Sequence, residues 1–340
     1  AEAGLKYFLL GAFSTGFLLY GIALVYGATG STNIAVIGEI ISNGEGSQSL
    51  LYPALALLII GFAFKVSAVP FHMWTPDVYE GAPTPITAWM SAAVKAAGFV
   101  AFLRVLLVGF DSIYTLWYPI IWWLSAITMV GANLIALVQS NIKRMLAYSS
   151  IAHAGYLLVA LAAANATASA GMLFYLFVYT LMNVGAFAIV MTVSDHSEER
   201  LYIDNYVGFG WTQPMLGIGL TIFLLSLAGF PGTGGFIGKI YLLLGAAESD
   251  LWTLSVILVL TTVVSYWYYL RVAWVMWMKD PEIKGEHDSL TLPVPMRLAL
   301  VVSVGLILYL GILPSGVLEF ARSSVEGLGT FGGGLLGQAP

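Results

Sequence analysis

The feature that most constrains this chain is a series of apolar runs, each long enough to cross a lipid bilayer. Only 9% of the 340 residues are charged and the mean hydropathy is +0.88, whereas a soluble domain carries roughly 25% charged residues. An all-α polytopic membrane protein with about nine transmembrane helices is therefore predicted, because helices satisfy their own backbone hydrogen bonds in lipid. The predicted spans are residues 5–28, 50–70, 84–110, 113–139, 142–163, 167–193, 212–247, 251–278 and 294–320.

Composition and motif content exclude several classes of protein. The net charge of −5 and the lack of clustered Lys and Arg argue against nucleic acid as a partner. Without cysteine the chain has no disulfide, no Cys-ligated zinc and no Cys-held iron–sulfur cluster. Nucleotide-binding glycine motifs and HExxH are missing as well. We therefore expect no cofactor and no metal in this chain, and we place any redox cofactor on other subunits.

Two of the predicted spans are interrupted by glycine and proline. The span 212–247 is too long for one straight helix, and Gly229–Gly235 predicts two half-helices joined by an unwound segment. The span 50–70 meets a similar break at Val69–His72. Non-helical backbone at membrane depth is tolerated only where protein buries it or where it lines a watery cavity. Two broken helices therefore predict the place where ions pass.

Three lysines, Lys65, Lys95 and Lys239, lie inside apolar stretches. Insertion of a charged lysine at the centre of a span costs roughly 2.5–3.5 kcal/mol. A protein that serves only as a membrane anchor has no reason to carry three of them. A buried lysine that exchanges neighbours can load and release a proton, so the pattern indicates ion transport. Snorkelling of the long stem to the interface is the alternative for Lys95 and Lys239. The acidic residues fall in the connections, so we expect no mid-span carboxylate partner within this chain.

The histidines divide into two pairs. His153 lies in the middle of a span and would suit a proton relay between distant lysines, or it packs helices as a neutral ring. His72 lies beside the first break. The sequence is equally consistent with a residue that lines a cavity and with one that lies at the end of a half-helix. His196 and His287 lie in polar loops and are predicted to be surface residues.

The orientation follows from the distribution of Lys and Arg. The side of the membrane opposite the N-terminus carries only Arg104 and Arg322, whereas the side of the N-terminus carries most of the Lys and Arg. The N-terminus is therefore predicted in the cytoplasm and the C-terminus outside. Lys143 and Arg144 fit a topology-setting pair, whereas Asp77 and Glu80 fit either a helix cap or a contact with a neighbour. The side of the N-terminus carries Lys6, Lys143, Arg144, Arg200, Lys279, Lys284 and Arg297, with Arg271 near that end of its span.

Four runs of sequence resemble one known family, the antiporter-like membrane subunits of respiratory complex I, the proton-pumping NADH:quinone oxidoreductase. The resemblance covers nearly the whole chain, and the motifs occur in the expected order. They are FKVSAVPFHMWTPDVYEGAP at 64–83, the span around Lys95, NIKRMLAYSSIAHAGY at 141–156 and GFPGTGGFIGKIYLL at 229–243.

The resemblance implies two inverted five-helix repeats around a central hydrophilic axis. Lys65 matches the lysine of the first broken helix, which in the family pairs with a Glu on an earlier helix. Lys95 matches the central lysine and Lys239 the lysine near the external outlet, while His153 matches the polar axis more loosely. The implied function is proton translocation driven by redox chemistry in other subunits, which would carry NADH, FMN, iron–sulfur clusters and quinone.

The resemblance also implies an organisation and a location. Residues 1–110 would be the C-terminal part of the first repeat, 111–280 the second repeat, and 281–340 the final transmembrane helix and tail. About five further helices are expected before Ala1. The expected partners are the neighbouring antiporter-like and small membrane subunits of the complex and lipid, and the expected location is the bacterial cytoplasmic (inner) membrane.

Two other functions stay open at this point. A subunit of a multisubunit sodium:proton antiporter would share the architecture, and sodium dependence of transport would distinguish it. A haem-bearing, quinone-reacting membrane subunit would use His72 and His153 as axial ligands and would show a Soret band.

Overall fold

A computed structural model describes residues 2–194, 201–279 and 292–327. Its regular structure over these ranges is helical, as the sequence predicts. The positions His196, Arg200, Lys284 and His287 lie outside the described residues. The helices are α1 (Glu2–Thr29), α2 (Ile34–Ser42), α3 (Gln48–Val66), α4 (Trp74–Gly81), α5 (Thr84–Trp89), α6 (Lys95–Arg104), α7 (Tyr114–Leu137), α8 (Ile142–Ala163), α9 (Ala166–Ser194), α10 (Phe209–Thr212), α11 (Pro214–Ala228), α12 (Gly234–Glu248), α13 (Trp252–Met278), α14 (Val294–Ile312) and α15 (Ser315–Glu326).

The transmembrane pattern predicted from the sequence is confirmed. Over the described ranges, eight helical stretches are long and apolar enough to cross a membrane, and the broken pair α11 and α12 supplies the ninth predicted span. One of the eight stretches, Thr84–Gly109, contains α5 and α6 and is interrupted by a π-helical turn at Met90–Val94. Lys95 follows that turn directly, and π-bulges within helices are frequent at functional sites.

Helix α8 is the centre of the bundle. All fifteen of its residues from Ser149 to Ala163 are buried, and it packs against α4, α7, α9 and α12. In contrast, α1 and α14 leave large apolar side chains such as Phe8 and Val301 exposed. Those two outer helices therefore present the surface that lipid or a neighbouring membrane protein covers.

The first break is held together by side chains. Helix α3 ends at Ser67, whose φ of 65° turns the chain out of the helix. Beyond it, Val69 N donates to Thr128 Oγ1 of α7 at 2.9 Å, and Trp74 Nε1 donates to Phe64 O at 3.1 Å. Thr75 Oγ1 also donates to Ser67 Oγ at 2.9 Å. These bonds supply the partners that non-helical backbone needs at membrane depth.

The second break lies between α11 and α12, where the sequence predicts it. Gly229 ends α11 with φ of 88°, a conformation that favours glycine. Tyr266 Oη of α13 donates to the Gly229 carbonyl at 2.8 Å, and Gly235 N donates to Ser226 Oγ at 3.2 Å. The unwound segment is therefore tied to both half-helices and to α13.

Two features of the fold differ from the prediction. The last span does not continue to residue 320, because α14 stops at Ile312 and α15 starts separately at Ser315. Pro314 explains the stop, since the residue before a proline is disfavoured in helical conformation. The short helix α2 was not predicted, although Asn33 caps it by accepting from Ala35 N at 3.0 Å.

Candidate functional site

His153 lies at the middle of α8 and is hydrogen-bonded through both ring nitrogens. Nδ1 is 2.6 Å from the hydroxyl of Tyr175 on α9, and Nε2 is 3.0 Å from the hydroxyl of Tyr269 on α13. A neutral imidazole has one donor and one acceptor nitrogen, so one tyrosine donates to the ring while the other accepts from it. Tyr269 also bonds the hydroxyl of Ser149. The ring is thus one member of a continuous buried hydrogen-bonded chain.

Lys95 is buried against the same helix. Its side chain is 1% exposed, and its Nζ donates to the Ser150 carbonyl at 2.6 Å and to the Ser150 hydroxyl. The Nζ also lies 5.9 Å from the ring centroid of Tyr179. Among the described residues Lys95 has no carboxylate partner. Ser150 and His153 are three residues apart on α8, so the lysine contacts the helix one turn from the histidine.

Lys239 is held by the end of a half-helix. It is 3% exposed, and its Nζ donates to the carbonyls of Leu227 and Ala228, at 3.1 and 2.9 Å. The last carbonyls of a helix lack intrahelical partners and carry the negative end of the helix dipole, so they suit an ammonium group. A Cβ at Gly229 would lie 3.0 Å from Lys239 Cδ, so the glycine leaves room for the lysine.

Each of the two lysines lies against a tyrosine that also contacts His153. The Tyr179 ring is beside Lys95 and 5.2 Å from the His153 ring. The Tyr156 ring is 4.8 Å from Lys239 Nζ and 5.3 Å from the His153 ring. The structure therefore brings Lys95, His153 and Lys239 into one polar cluster inside an apolar bundle.

The Tyr156 hydroxyl extends the cluster to α7 and α13. It accepts from Asn133 Nδ2 at 3.1 Å, and the Asn133 Oδ1 accepts from the Tyr268 hydroxyl at 2.9 Å. Tyrosine hydroxyls both donate and accept hydrogen bonds. These hydrogen bonds fix the Tyr156 ring, which lies against Lys239, in position between α7 and α13.

Lys65 differs from the other three predicted site residues. It lies in the last turn of α3 and is half-buried, and it makes no hydrogen bond or ion pair within the part of the chain that the structure describes. Its Cβ packs near Gly98 on α6. His72, beside the first break, likewise has a buried Nδ1 with no partner among the described residues.

The tyrosines are the site residues that the sequence did not single out. Tyr156, Tyr175, Tyr179, Tyr268 and Tyr269 are all at most 1% exposed. Tyrosine is common at membrane interfaces, so composition alone favours a position at span ends. The available signal was spacing, because Tyr156 follows His153 by three residues, and Tyr175 and Tyr179 are four apart on one face of α9.

A second polar cluster lies where α1, α4 and α8 meet. Arg144 Nη1 contacts Asp77 Oδ1 at 2.9 Å and Glu80 Oε2 at 2.7 Å, and Lys6 Nζ contacts Asp77 Oδ2 at 2.6 Å. Hydrogen bonds from Lys6 and Arg144 hold the pKa of the Asp77 carboxyl below its ordinary value. Lys143 is buried and donates to the carbonyls of Glu80 and Ala82, at 2.9 and 2.8 Å. Of the two readings of Asp77 and Glu80, the structure thus selects contact with neighbouring helices.

The fold and the site together define a polytopic membrane protein of the antiporter-like class, with two broken helices and buried lysines. The family described as NADH:quinone oxidoreductase/Mrp antiporter, TM, matches residues 1–265, and the chain belongs to it.

The curated relatives that the chain matches carry the name of one subunit, subunit N. The chain is 51% identical over 326 residues to NADH-quinone oxidoreductase subunit N of Trichlorobacter lovleyi, covering 96% of this chain and 66% of that protein. It is 47% identical over 329 residues to subunit N 1 of Solibacter usitatus, covering 96% and 67%. The chain thus spans about two thirds of the length of these relatives.

Solved structures agree on the fold. A chain of respiratory complex I from Thermus thermophilus with bound aureothin matches with a TM-score of 0.80 and 39% identity, over 94% of this chain and 68% of that one. A chain of the Mrp complex from Dietzia sp. matches with a TM-score of 0.82 over 96% and 68%, but at 19% identity it shows the fold alone.

Two sequence details predict the type of subunit. Among the antiporter-like subunits of complex I, the form WTPDVYEGAP at 74–83 resembles subunit N, and Lys rather than Glu at 239 is unlike subunit M. The curated relatives carry that name, which confirms the prediction.

Proposed function

We propose that this chain provides the proton-translocating part of a membrane subunit of NADH:quinone oxidoreductase. The identity with relatives named subunit N and the polar cluster of α8 support the proposal. The chain carries proton transfer, while NADH, FMN, iron–sulfur clusters and quinone belong to partner subunits. Its neighbours are the other membrane subunits of that complex and lipid.

The single observation that carries the proposal is the pair of tyrosine hydroxyls on His153. Because one hydroxyl donates to the ring and the other accepts from it, a proton that arrives at one nitrogen allows the other nitrogen to release its own. The ring then returns to the neutral form with its tautomer reversed. His153 thereby passes a proton between Tyr175 and Tyr269 without remaining charged in the bundle.

The two buried lysines are the proton-storing groups on either side of His153. An ammonium without a carboxylate partner is costly in a low-dielectric interior, and among the described residues Lys95 and Lys239 contact carbonyl and hydroxyl oxygens and tyrosine rings instead. A proton held on Lys95 therefore repels a proton on Lys239, so loading one lysine favours discharge of the other. Lys65 is the corresponding proton-storing group in the first broken helix, as the family resemblance implies.

The repeat organisation and orientation complete the proposal. Residues 1–110 form the C-terminal part of the first inverted repeat, 111–280 the second, and 281–340 the final span and tail. The chain lies in a bacterial cytoplasmic membrane with its N-terminus inside and its C-terminus outside. The positive-inside rule supports this orientation, and Lys6, Lys143 and Arg144 do lie together at one end of the bundle.

The two other functions are less well supported. A sodium:proton antiporter subunit shares the fold, but the Mrp match is 19% identical whereas the subunit N relatives reach 51%. Haem ligation by His153 conflicts with the geometry, because both ring nitrogens are already hydrogen-bonded to tyrosines.

The proposal is tested in membrane vesicles that carry the full-length protein within its assembled complex. Lys95→Ala is compared with Lys279→Ala, a half-exposed lysine that pairs with Asp204 at the end of α13. We expect Lys95→Ala to lose most proton pumping with the complex still assembled and Lys279→Ala to pump normally. Undiminished pumping by Lys95→Ala, or a requirement for sodium, would overturn the proposal.

A further inference from the structure

One face of α13 carries a groove on the outside of the bundle, with a volume of about 700 Å³. Its lining residues are Val263, Tyr266, Trp267, Leu270, Arg271 and Trp274. They recur at helical spacing, so they project from one side of α13. Tyr266 and Arg271 are half-buried and the others are exposed. The groove therefore opens outward, and it combines apolar and aromatic walls with a single cation.

The guanidinium of Arg271 has more donors than its contacts within the described ranges use. Its Nη1 donates to the Gln139 carbonyl at 3.3 Å, whereas a guanidinium carries five N–H donors and keeps its charge. Among the described residues Arg271 contacts no carboxylate. The nearby Lys279, in contrast, is paired with Asp204 at 3.2 Å. The groove thus offers an unpaired positive charge with free donors.

The position of Arg271 along α13 matches the level of lipid headgroups. It lies seven residues before Met278, the last residue of the helix, or about 10 Å along the axis. A long arginine side chain reaches from such a depth to the interface, where tryptophans such as Trp267 and Trp274 are also enriched. The contact with Gln139, between α7 and α8, places it at the same end of the bundle as Arg144.

From Arg271 the groove continues away from that end. Leu270, Trp267 and Val263 follow one another over seven residues, or about 10 Å of helix, and all three are exposed. This apolar track leads from the headgroup level toward the middle of the membrane. Its chemistry and direction suit a hydrocarbon chain that hangs from a group held at Arg271.

We propose that the groove binds one anionic phospholipid, with its phosphate on Arg271 and an acyl chain along Leu270, Trp267 and Val263. A guanidinium matches two phosphate oxygens at once, and basic pockets at the cytoplasmic ends of transmembrane helices suit anionic headgroups. A choline headgroup fits less well, because the ammonium of Lys279 already lies 5.8 Å from the Trp274 ring centroid. A second cation there would be repelled.

The lipid would also support the second break. The Tyr266 ring lines the groove, and its hydroxyl donates to the Gly229 carbonyl at 2.8 Å. Gly229 directly follows Leu227 and Ala228, whose carbonyls hold Lys239. An acyl chain in the groove packs on the ring that ties this segment to α13. The site itself does not depend on whether the chain carries protons.

The test is photolabelling of the assembled complex, with the full-length protein, in phosphatidylcholine vesicles. The probe is a trace of phosphatidylglycerol with a photoactivatable diazirine on one acyl chain. We expect the adduct on α13 between Val263 and Leu270, located by mass spectrometry, and its displacement by unlabelled phosphatidylglycerol. Phosphatidylcholine with the same diazirine should label about fivefold less, the factor that one charge contact at an anionic headgroup provides.

Two arginine variants show whether the charge in the groove selects the lipid. Arg271→Gln removes the charge and the paired donors, so labelling by phosphatidylglycerol should fall about fivefold, to the level of phosphatidylcholine. Arg104→Gln, at an exposed arginine of α6 outside the groove, is the matched control and should label like wild type. If Arg271→Gln does not assemble, the comparison of the two lipids on the wild-type complex decides alone.

Three results would overturn the site. Equal labelling by the two lipids means that α13 contacts only the surrounding bilayer without selecting a headgroup. Absence of the adduct from α13 means that another subunit covers the groove. Displacement of the probe by inorganic phosphate means that Arg271 takes a free anion and not a lipid. All three read lipid binding and not pumping, so they leave the proposed function untouched.

Discussion

The hydroxyl of Tyr175 lies 2.6 Å from Nδ1 of His153, while the ring of the same tyrosine packs directly on Gly238, the residue before Lys239. The hydrogen bond of the histidine and the position of the second broken helix are thereby joined through one side chain. A change that moves the second broken helix should therefore also alter the hydrogen bond of His153, and the reverse.

Enlarging Gly238 should therefore disturb His153. In Gly238→Ala the new methyl would overlap the Tyr175 ring, and overpacking of this kind costs about 1–3 kcal/mol. We expect slower proton pumping in vesicles and a lower melting temperature of the complex. Gly131→Ala on α7, where a Cβ meets open space, is the control and should pump normally. Equal pumping by the two variants would contradict the link.

Removing one hydroxyl from the histidine should block the relay. Tyr175→Phe leaves a buried ring nitrogen without its partner, a loss of about 1–3 kcal/mol, and interrupts the hydrogen-bonded chain. We expect pumping to fall by about 100-fold or more. The control is Tyr309→Phe, which removes an exposed hydroxyl from α14. A Tyr175→Phe complex that pumps at the wild-type rate would falsify the role given to His153.

Gly229 and Gly232 have the same backbone conformation, so a comparison of the two separates contact with the Lys239 side chain from the effect of backbone strain. Gly229 and Gly232 have φ of 88° and 87°, so alanine at either costs roughly 1–2 kcal/mol. Only at Gly229 would the new Cβ meet the Lys239 side chain, whereas at Gly232 it meets nothing within 4 Å. We expect similar losses of thermal stability, but slowed pumping only in Gly229→Ala. Equal pumping rates would show that Lys239 does not need its present position.

Acidification should loosen the cluster at the junction of α1, α4 and α8. Because the folded-state pKa of Asp77 is below its ordinary value of 3.8, its ion pairs contribute stability above about pH 4, and this contribution is lost as pH falls through the lowered pKa. Asp77→Asn should be less stable than wild type near neutrality and should lose less on acidification. Melting temperatures between neutral pH and pH 3 measure the difference.

Glu45→Gln, at an exposed carboxylate outside the cluster, is the matched control for that experiment. It should follow the wild-type curve at every pH. Parallel curves for Asp77→Asn and wild type would show that the Asp77 ion pairs do not contribute.

The fold was largely readable from the sequence because its signals are strong and local. Apolar runs fixed the spans, and Gly229 and Pro70 marked both breaks. The last span is shorter than predicted because Pro314 separates α14 from α15. Helix α15 is itself partly apolar and buries Leu318, Ala321 and Val325, so the apolar pattern continues past the stop. Helix α2 was missed because its nine residues are too few for a span.

The candidate site was only partly readable. Lys95, His153 and Lys239 stand out as polar residues in apolar runs, but which groups surround them depends on how six helices, α6, α8, α9, α11, α12 and α13, pack together. Tyr269 meets His153 across 116 positions of sequence, and Ser150 meets Lys95 across 55. No local pattern encodes such pairings. Carbonyl acceptors are invisible in a sequence altogether, since every residue has one.

The carbonyls that hold Lys239 have a consequence for genetics. Leu227 and Ala228 contribute main-chain oxygens, which no codon change can delete. A screen for transport-defective alleles can therefore find substitutions of Lys239. Conservative substitutions at 227 and 228 keep both acceptor oxygens and leave transport intact, so the screen does not find them. Tolerance to substitution at 227 and 228 would thus be a poor guide to how much these two positions contribute.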